Sequence, residues 1–302
     1  MTEEPKSDMP DSAGGETERN ILGEDVRLRS VYAADGGGKA AFSTKVADYV
    51  ASRPDYAPAL LTTLRERCGL AAGAGIADVG AGTGILSRSL LDSGYQVIAV
   101  EPNAAMRAAA DAALAGRTGY RSVAGSAETM PLAAGSVDLI TAAQAFHWFD
   151  PEPARRECLR VLKPHGQVAL IWNDRTADDP LQTVLDDLAA RFGGAKRSAM
   201  AAQGERANLD VFFSGARWEE FAWPHEQHLT GAGMQSLVFS RSYIPARDSA
   251  EGRTIADEVS RVFHQFATDN RISIRYKTVL VLGRPEKGSE IATATGSAKV
   301  AA

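Results

Sequence analysis

From residue 75 onward, short apolar runs alternate with stretches whose apolar residues recur at helical spacing. GIADV (75–79), QVIAVE (96–101), YRSVAG (120–125), VDLITAAQ (137–144) and QVALIWN (167–173) read as five strands. Between them, ILSRSLLDSG and the alanine-rich NAAMRAAADAALAG read as helices. A further helix opens at Asp150-Pro151, with Asp as N-cap and Pro in the first turn, and runs to Leu162. Strands that are apolar on both faces and alternate with helices predict a parallel sheet covered on both sides. After residue 174 the rhythm changes. PLQTVLDDLAARFGG, GAGMQSLVFSRSY and SAEGRTIADEVSRVFHQFATD read as helices, WEEFAWPHEQHL as a candidate strand, and ISIRYKTVLVLGR (272–284) as a clear β run. Upstream, residues 42–69 are helical in pattern with a break at Arg53-Pro54, because the residue before proline avoids helix. Residues 19–33 suggest a short helix ahead of the glycines in DGGGKA.

The pattern divides the chain into an acidic tail (1–18), an N-terminal helix and linker (19–41), a main domain (42–284) whose segment 174–270 carries cap elements, and a small polar tail (285–302). Both tails read as disordered. The N-terminal helix is amphipathic and precedes the flexible glycine run DGGGKA, a hinge suited to swapping, which suggests closure over a pocket or a homo-oligomer contact.

Charge and composition narrow the class. The 302 residues carry a formal net charge of −5, with no dense Lys/Arg run, which disfavours nucleic-acid partners. No apolar run approaches the roughly 18 residues needed to span a membrane, and the start lacks the basic and apolar regions of a signal peptide. A cytoplasmic protein acting on small molecules is the expectation. Cys68 falls in an apolar row with Leu60, Leu61 and Leu64, and Cys158 in one with Ala154, Val161 and Leu162, so both read as core residues. No zinc-type spacing is present and no metal is expected.

The candidate chemistry begins at Asp78-Val-Gly-Ala-Gly-Thr-Gly84, between the first strand and its helix. Glycines there let the backbone turn sharply and approach a ligand. Ligands of open α/β sheets bind beyond the carboxyl ends of the strands. The second strand ends in Glu101, 19 residues after Gly82, where a carboxylate can accept hydrogen bonds from both ribose hydroxyls. A ribose-bearing cofactor follows, with a ligand-free tight turn as the plain alternative. The dinucleotide spacing G-x-G-x-x-G would need glycine at position 85, which is Ile85, and no P-loop is present.

In order and register, residues 42–173 resemble the class I methyltransferases that use S-adenosylmethionine. IADVGAGTG resembles their first motif, VIAVEPNAAM the second-strand motif with its ribose acid, GSAETMPLAAGSVDLI the segment framing adenine, and LRVLKPHGQVALIWN the turn into strand five. FSTKVADYVASRPDY and SRSYIP are similar to entry and late segments of the type-11 small-molecule subgroup, including proteins like trans-aconitate methyltransferase. The resemblance implies a Rossmann-like α/β fold: a seven-stranded sheet with its last strand antiparallel, helices on both faces, N-terminal helices and a helical insertion as cap. It implies that Asp78, Gly80, Gly82 and Gly84 surround the methionine and ribose part of S-adenosylmethionine and that Glu101 holds the ribose hydroxyls. Asn103 and Met106 are then expected near adenine or ribose, Ser126, Ala127 and Glu128 at the adenine edge, Gln144 near the methionine end, and Tyr49 and Arg53 over the amino-acid end.

The aromatic run Phe146-His147-Trp148-Phe149 follows strand four and would face the transferred methyl. His147 is either a general base or a pocket-shaping ring in an aromatic cluster. Trp148 is either pocket wall or packing, and Phe149 belongs to the core. Trp172, Arg241 and Tyr243 are candidate substrate contacts, Arg241 through pairing with an acidic group. His225 and His228, three apart on a strand, would face opposite sides, and His165 and His264 read as structural or surface residues. The function expected is methyl transfer to an oxygen, nitrogen or carbon of a small molecule, such as one of secondary metabolism. The competing readings are a nicotinamide-dependent oxidoreductase, against which Ile85 argues, and a non-catalytic cofactor-binding protein.

Overall fold

The structure, a computed structural model, describes residues 45–287 apart from 177, 204, 205 and 207. The expected N-terminal helix, the 1–18 tail and most of the C-terminal tail lie outside the described residues. Two helices, α1 (Val46–Ser52) and α2 (Ala59–Cys68), flank the Arg53-Pro54 break. The alternating region follows as β1 (Gly75–Val79), α3 (Ile85–Asp92), β2 (Gln96–Val100), α4 (Ala104–Ala113), β3 (Tyr120–Val123) and β4 (Val137–Ala143). A 3₁₀ turn at Phe146–Trp148 leads to α5 (Pro151–Val161) and β5 (Leu162–Arg175). The cap and closing strands are α6 (Pro180–Phe192), α7 (Gly194–Gln203), α8 (Leu209–Phe213), β6 (Trp218–Leu229), α9 (Gly231–Phe239), α10 (Ala250–Phe266) and β7 (Ile272–Gly283).

The seven strands form one sheet in the order β3-β2-β1-β4-β5-β7-β6, with β7 antiparallel to both its neighbours. This is the Rossmann-like sheet the resemblance implies. Alternate strand residues enter opposite cores, as the period-two geometry of strands requires. Val168, Leu170 and Trp172 face the layer with α5 and α8, while Ala169 and Ile171 face α2 and α3. A third cluster, with Leu185, Met234, Val259 and Ile274, ties α6, α9 and α10 to the outer part of β7. Pro224 sits within β6, tolerable because β6 is an edge strand with no neighbour on one side.

Two boundaries differ from the sequence pattern. β5 extends from Leu162 to Arg175, well beyond QVALIWN, because β4 supplies a partner for Leu162 and β7 pairs on to Arg175 through Tyr276. That extension carries Asp174 and Arg175 beyond the sheet core. α9 stops at Phe239 rather than running through Tyr243, and the Ser240 hydroxyl donates to the Leu237 carbonyl at 2.8 Å. Cys158 lies in the core, and burial pushes its thiol up to about 12; the half-buried Cys68 thiol is pushed up to about 11. Both are inert as nucleophiles at neutral pH.

Candidate active site

β1 and β4 are neighbours whose outgoing chains lead to opposite ends of the strand order, so a crevice opens beyond their carboxyl ends. The glycine turn forms one lip. The Gly80 N–H donates to the Val100 carbonyl at 2.8 Å, which folds the turn back over β2. Gly80 has φ of 69°, and a Cβ there would lie 2.6 Å from Ala145 Cβ. The loop after β4 thus packs directly against the turn, and only glycine permits that approach.

Glu101 is buried beside this turn. One carboxylate oxygen accepts from the Gly82 N–H at 2.9 Å and the other from the Asn103 N–H at 2.8 Å. Burial raises its pKa, against the opposing pull of those two amides. The carboxylate is oriented by backbone and retains lone pairs for further donors. Asp78 stands near the end of β1, two residues before Gly80. Only 1% exposed, it accepts from the Ser87 hydroxyl at 2.6 Å and the Thr141 hydroxyl at 2.8 Å. Its two oxygens engage α3 and β4, so Asp78 braces the turn from behind. Burial raises its pKa as well, with the two hydroxyls opposing.

Several other candidate cofactor residues also have roles in the scaffold. The Asn103 side-chain oxygen caps α4, accepting from the N–H groups of Ala105 and Met106. Met106 and Ala127 are buried core residues. Ser126 forms a small bridge with Thr129, and the Glu128 carboxylate accepts from the Asp150 N–H at 2.9 Å. Glu128 therefore pins the end of the aromatic loop. Asp150 holds the N-cap position of α5, but its side chain makes no capping bond. Trp172 is fully buried against Phe146, so it is core rather than pocket wall. Phe146 is the hub of that packing, edge-on to Phe149, Trp172 and Phe212.

A cavity of about 390 Å³ lies beyond β4 and β5, bordered by Tyr49, Arg53, Gln144, His147, Arg241 and Tyr243. Six expected site residues from three distant segments thus share one wall. Gln144 leaves β4 with φ of 55°, a left-handed conformation a non-glycine residue adopts at a cost. Its N–H bonds the Ile171 carbonyl at 2.9 Å. Arg53 lies over the Tyr49 ring at 4.7 Å from its centroid. The stretch after Arg53 is tied down over the sheet: Asn173 donates to the Asp55 carbonyl at 2.8 Å, and the Ala57 N–H donates to the Thr278 hydroxyl at 3.0 Å. His225 reaches Asp55 at 3.0 Å, while His228 faces the other way, toward the Ser273 hydroxyl.

The sequence reading missed Tyr56, Asn173, Asp174, Arg175, Asp186, Arg197 and Tyr276, which line the same cavity. Asn173, at the end of an apolar strand, carried the same positional signal as Gln144. The residues from α6, α7 and β7 carried none. Among the described residues no group of three His, Cys, Asp or Glu is placed to hold a metal ion.

His147 is half-buried on the cavity wall, with the Trp148 ring 5.1 Å away, centroid to centroid. Trp148 itself supports His147 from outside the cavity lining. Burial first, and then the nearby Arg53 guanidinium, push the His147 pKa down from 6.5 to about 4. The unfolded chain therefore binds more protons between those two pH values, so stability rises with pH across that window and is lost on acidification. The loss amounts to at most roughly 3 kcal/mol. Denaturant midpoints between pH 6.5 and 4 are expected to fall less steeply for His147→Gln than for the wild type. Equal slopes would show that the fold does not hold the imidazole neutral.

The geometry of the turn, with a Gly80 that tolerates no side chain and an oriented buried Glu101, fits a ribose-bearing cofactor. Comparison with known proteins agrees. A family model described as a methyltransferase domain matches residues 77–170. An uncharacterised methyltransferase of Mycobacterium tuberculosis is 33% identical over 245 residues, spanning 80% of this chain and 93% of that protein. An uncharacterised methyltransferase-like protein of Schizosaccharomyces pombe is 29% identical over 245 residues, spanning 79% and 93%. A solved structure of a candidate type II methyltransferase from Anaeromyxobacter dehalogenans superposes with a TM-score of 0.54 at 22% identity, covering 78% of this chain and 99% of that one. Sheet order, glycine turn, the oriented Glu101 carboxylate and sequence kinship converge: this chain belongs to the class I methyltransferases that use S-adenosylmethionine.

Proposed function

We propose that the enzyme methylates a small molecule bound in the cavity beyond β4 and β5, on an oxygen, nitrogen or carbon atom. The observation that supports this reading is the shared wall: Tyr49, Arg53 and Gln144, expected at the methionine end of the cofactor, border the same space as His147, Arg241 and Tyr243. When bound, S-adenosylmethionine supplies an electrophilic methyl on a sulfonium that departs as a neutral thioether. The protein contributes alignment, worth up to roughly 7–11 kcal/mol in favourable cases. In this reading the amides of the Gly80–Gly84 turn and the Glu101 carboxylate hold the ribose side. Ser126 borders the adenine, and Tyr49, Arg53 and Gln144 hold the amino-acid end.

His147 is neutral at physiological pH because burial and Arg53 disfavour its cation. A base this weak does not ionise the acceptor in advance. It can take the proton as the new bond forms, when the methylated atom becomes strongly acidic. The acidic limb of kcat is then expected near pH 4 rather than near 6.5. His147→Gln is expected to lose that limb and roughly 10²-fold in kcat, with affinity for S-adenosylhomocysteine retained. Unchanged kcat in the variant would reduce His147 to a wall.

Calorimetry tests the whole reading. S-Adenosylhomocysteine is expected to bind and NAD is not. Tight NAD binding without binding of the thioether would overturn the assignment in favour of hydride chemistry.

A further inference from the structure

The cavity is electrostatically lopsided. Four arginines, Arg53, Arg175, Arg197 and Arg241, face it against two aspartates, Asp174 and Asp186. Both aspartates are already engaged, Asp174 by Arg206 and Asp186 by Arg175. Among the described residues, two of the lining arginines keep a buried nitrogen without a partner, Arg53 at Nε and Arg241 at Nη1, and Arg241 is the more deeply buried of the two. Arg241 sits in the irregular turn after α9 and is 5% exposed, and its Nη1 is buried with no hydrogen-bond partner among the described residues. A buried guanidinium nitrogen without an acceptor is costly, and proteins keep such groups where a partner arrives. The cofactor does not restore balance. Its ammonium and sulfonium outnumber its single carboxylate, and that carboxylate belongs, in the reading above, to Tyr49 and Arg53.

Resting on that reading, we propose that the methyl acceptor is bifunctional: one end is a carboxylate seated on Arg241, and the methyl-accepting group is a second function directed toward Gln144 and His147. A planar guanidinium presents the fork geometry that a carboxylate matches. A carboxylate whose lone pairs are held by a guanidinium is a poor nucleophile, so Arg241 marks the anchoring end and not the reacting one. The reacting atom forms its bond to the methyl carbon as the carbon–sulfur bond breaks. That electron pair goes to sulfur, and the proton of the acceptor atom goes to the His147 imidazole. Tyr243, two residues on, lies in the same field: burial alone would raise its pKa, but Arg241 and Arg175 outweigh burial and lower it.

The test uses the full-length chain saturated with S-adenosylhomocysteine. Succinate, glutarate, 4-hydroxybenzoate and 3-phenylpropanoate are each compared with the corresponding amide, and with inorganic phosphate, by thermal shift and calorimetry. At least one carboxylate is expected to raise the melting temperature while its amide does not. Arg241→Gln is expected to weaken that binding by at least about tenfold, while S-adenosylhomocysteine affinity stays within about threefold. Should Arg241→Gln fail to fold, Arg241→Lys serves: it keeps the charge but not the fork, and a clear loss of carboxylate binding at constant cofactor affinity supports the proposal. Equal binding of acids and amides, stronger binding of phosphate than of any carboxylate, or undiminished carboxylate binding in the Arg241 variants would overturn it. So would a loss of S-adenosylhomocysteine affinity in those variants, since Arg241 would then serve the cofactor. Failure of the wild type to bind S-adenosylhomocysteine would instead count against the methyl-transfer reading itself.

Discussion

Replacing Gly80 by alanine is expected to destabilise the protein by roughly 2–5 kcal/mol and to remove measurable methyl transfer. Two costs combine. At φ of 69° an alanine pays about 1–2 kcal/mol for a left-handed backbone. Its Cβ would also lie 2.6 Å from Ala145 Cβ, closer than two carbons can approach. Relief requires the loop after β4 to move, and overpacking of this kind costs about 1–3 kcal/mol. Because Ala145 lies between Gln144 and the 3₁₀ turn that carries His147, that movement misplaces both residues. Gly82→Ala is the control. It has φ of 56°, but nothing lies within 4 Å of its added Cβ, so its loss of stability should stop near the backbone term of about 1–2 kcal/mol. Melting temperatures and denaturant midpoints of the two variants separate the terms. Equal losses would mean that the Ala145 contact carries no weight.

Replacing Glu101 by glutamine is expected to lower affinity for S-adenosylhomocysteine by roughly 10²–10³-fold, the equivalent of losing about two charge-assisted hydrogen bonds. The wild-type carboxylate accepts from Gly82 and Asn103 while keeping lone pairs toward the crevice. A glutamine must point its NH₂ at one of those two N–H groups. That leaves a buried donor facing a donor, at about 1–3 kcal/mol of stability as well. The raised pKa of Glu101 adds a pH signature. Acidification protonates it at a higher pH than an ordinary glutamate, so cofactor affinity should decline on the acidic side in the wild type and stay flat in Glu101→Gln. Isothermal titration across that range reads both effects. Full affinity in the variant would remove Glu101 from the cofactor site.

The run Phe146–Phe149 illustrates how much of the site was legible and where legibility stopped. Its address, the loop beyond strand four, followed from the apolar run VDLITAAQ and the helix start at Asp150-Pro151. Which ring faces the cavity did not. His147 does, Phe146 turns into the core, and Trp148 backs His147. Four consecutive residues in a loop have no periodicity from which their directions can be read. Asp78 and Trp172 show the same limit from the other side. Each stands in a motif or at a strand end facing the site, yet Asp78 is held by hydroxyls of Ser87 and Thr141, and Trp172 is buried edge-on to Phe146.

What the sequence determined by itself was local and periodic. The apolar runs gave the strands, the helical spacings gave the intervening helices, and the glycine spacing marked the tight turn after strand one. The place of Glu101 beside the glycine turn was legible because strand two ends there. The tertiary structure decided everything that depends on distant segments meeting. β5 runs on to Arg175 because β7, a hundred residues later, pairs with it. Arg53 is placed over the cavity because Asn173 and Thr278 hold the backbone that follows it. The cationic wall exists because α1, β5, α7 and the turn after α9 converge on one space. Charge accumulates there by packing in three dimensions, and a chain read one residue at a time spreads those arginines over nearly two hundred positions.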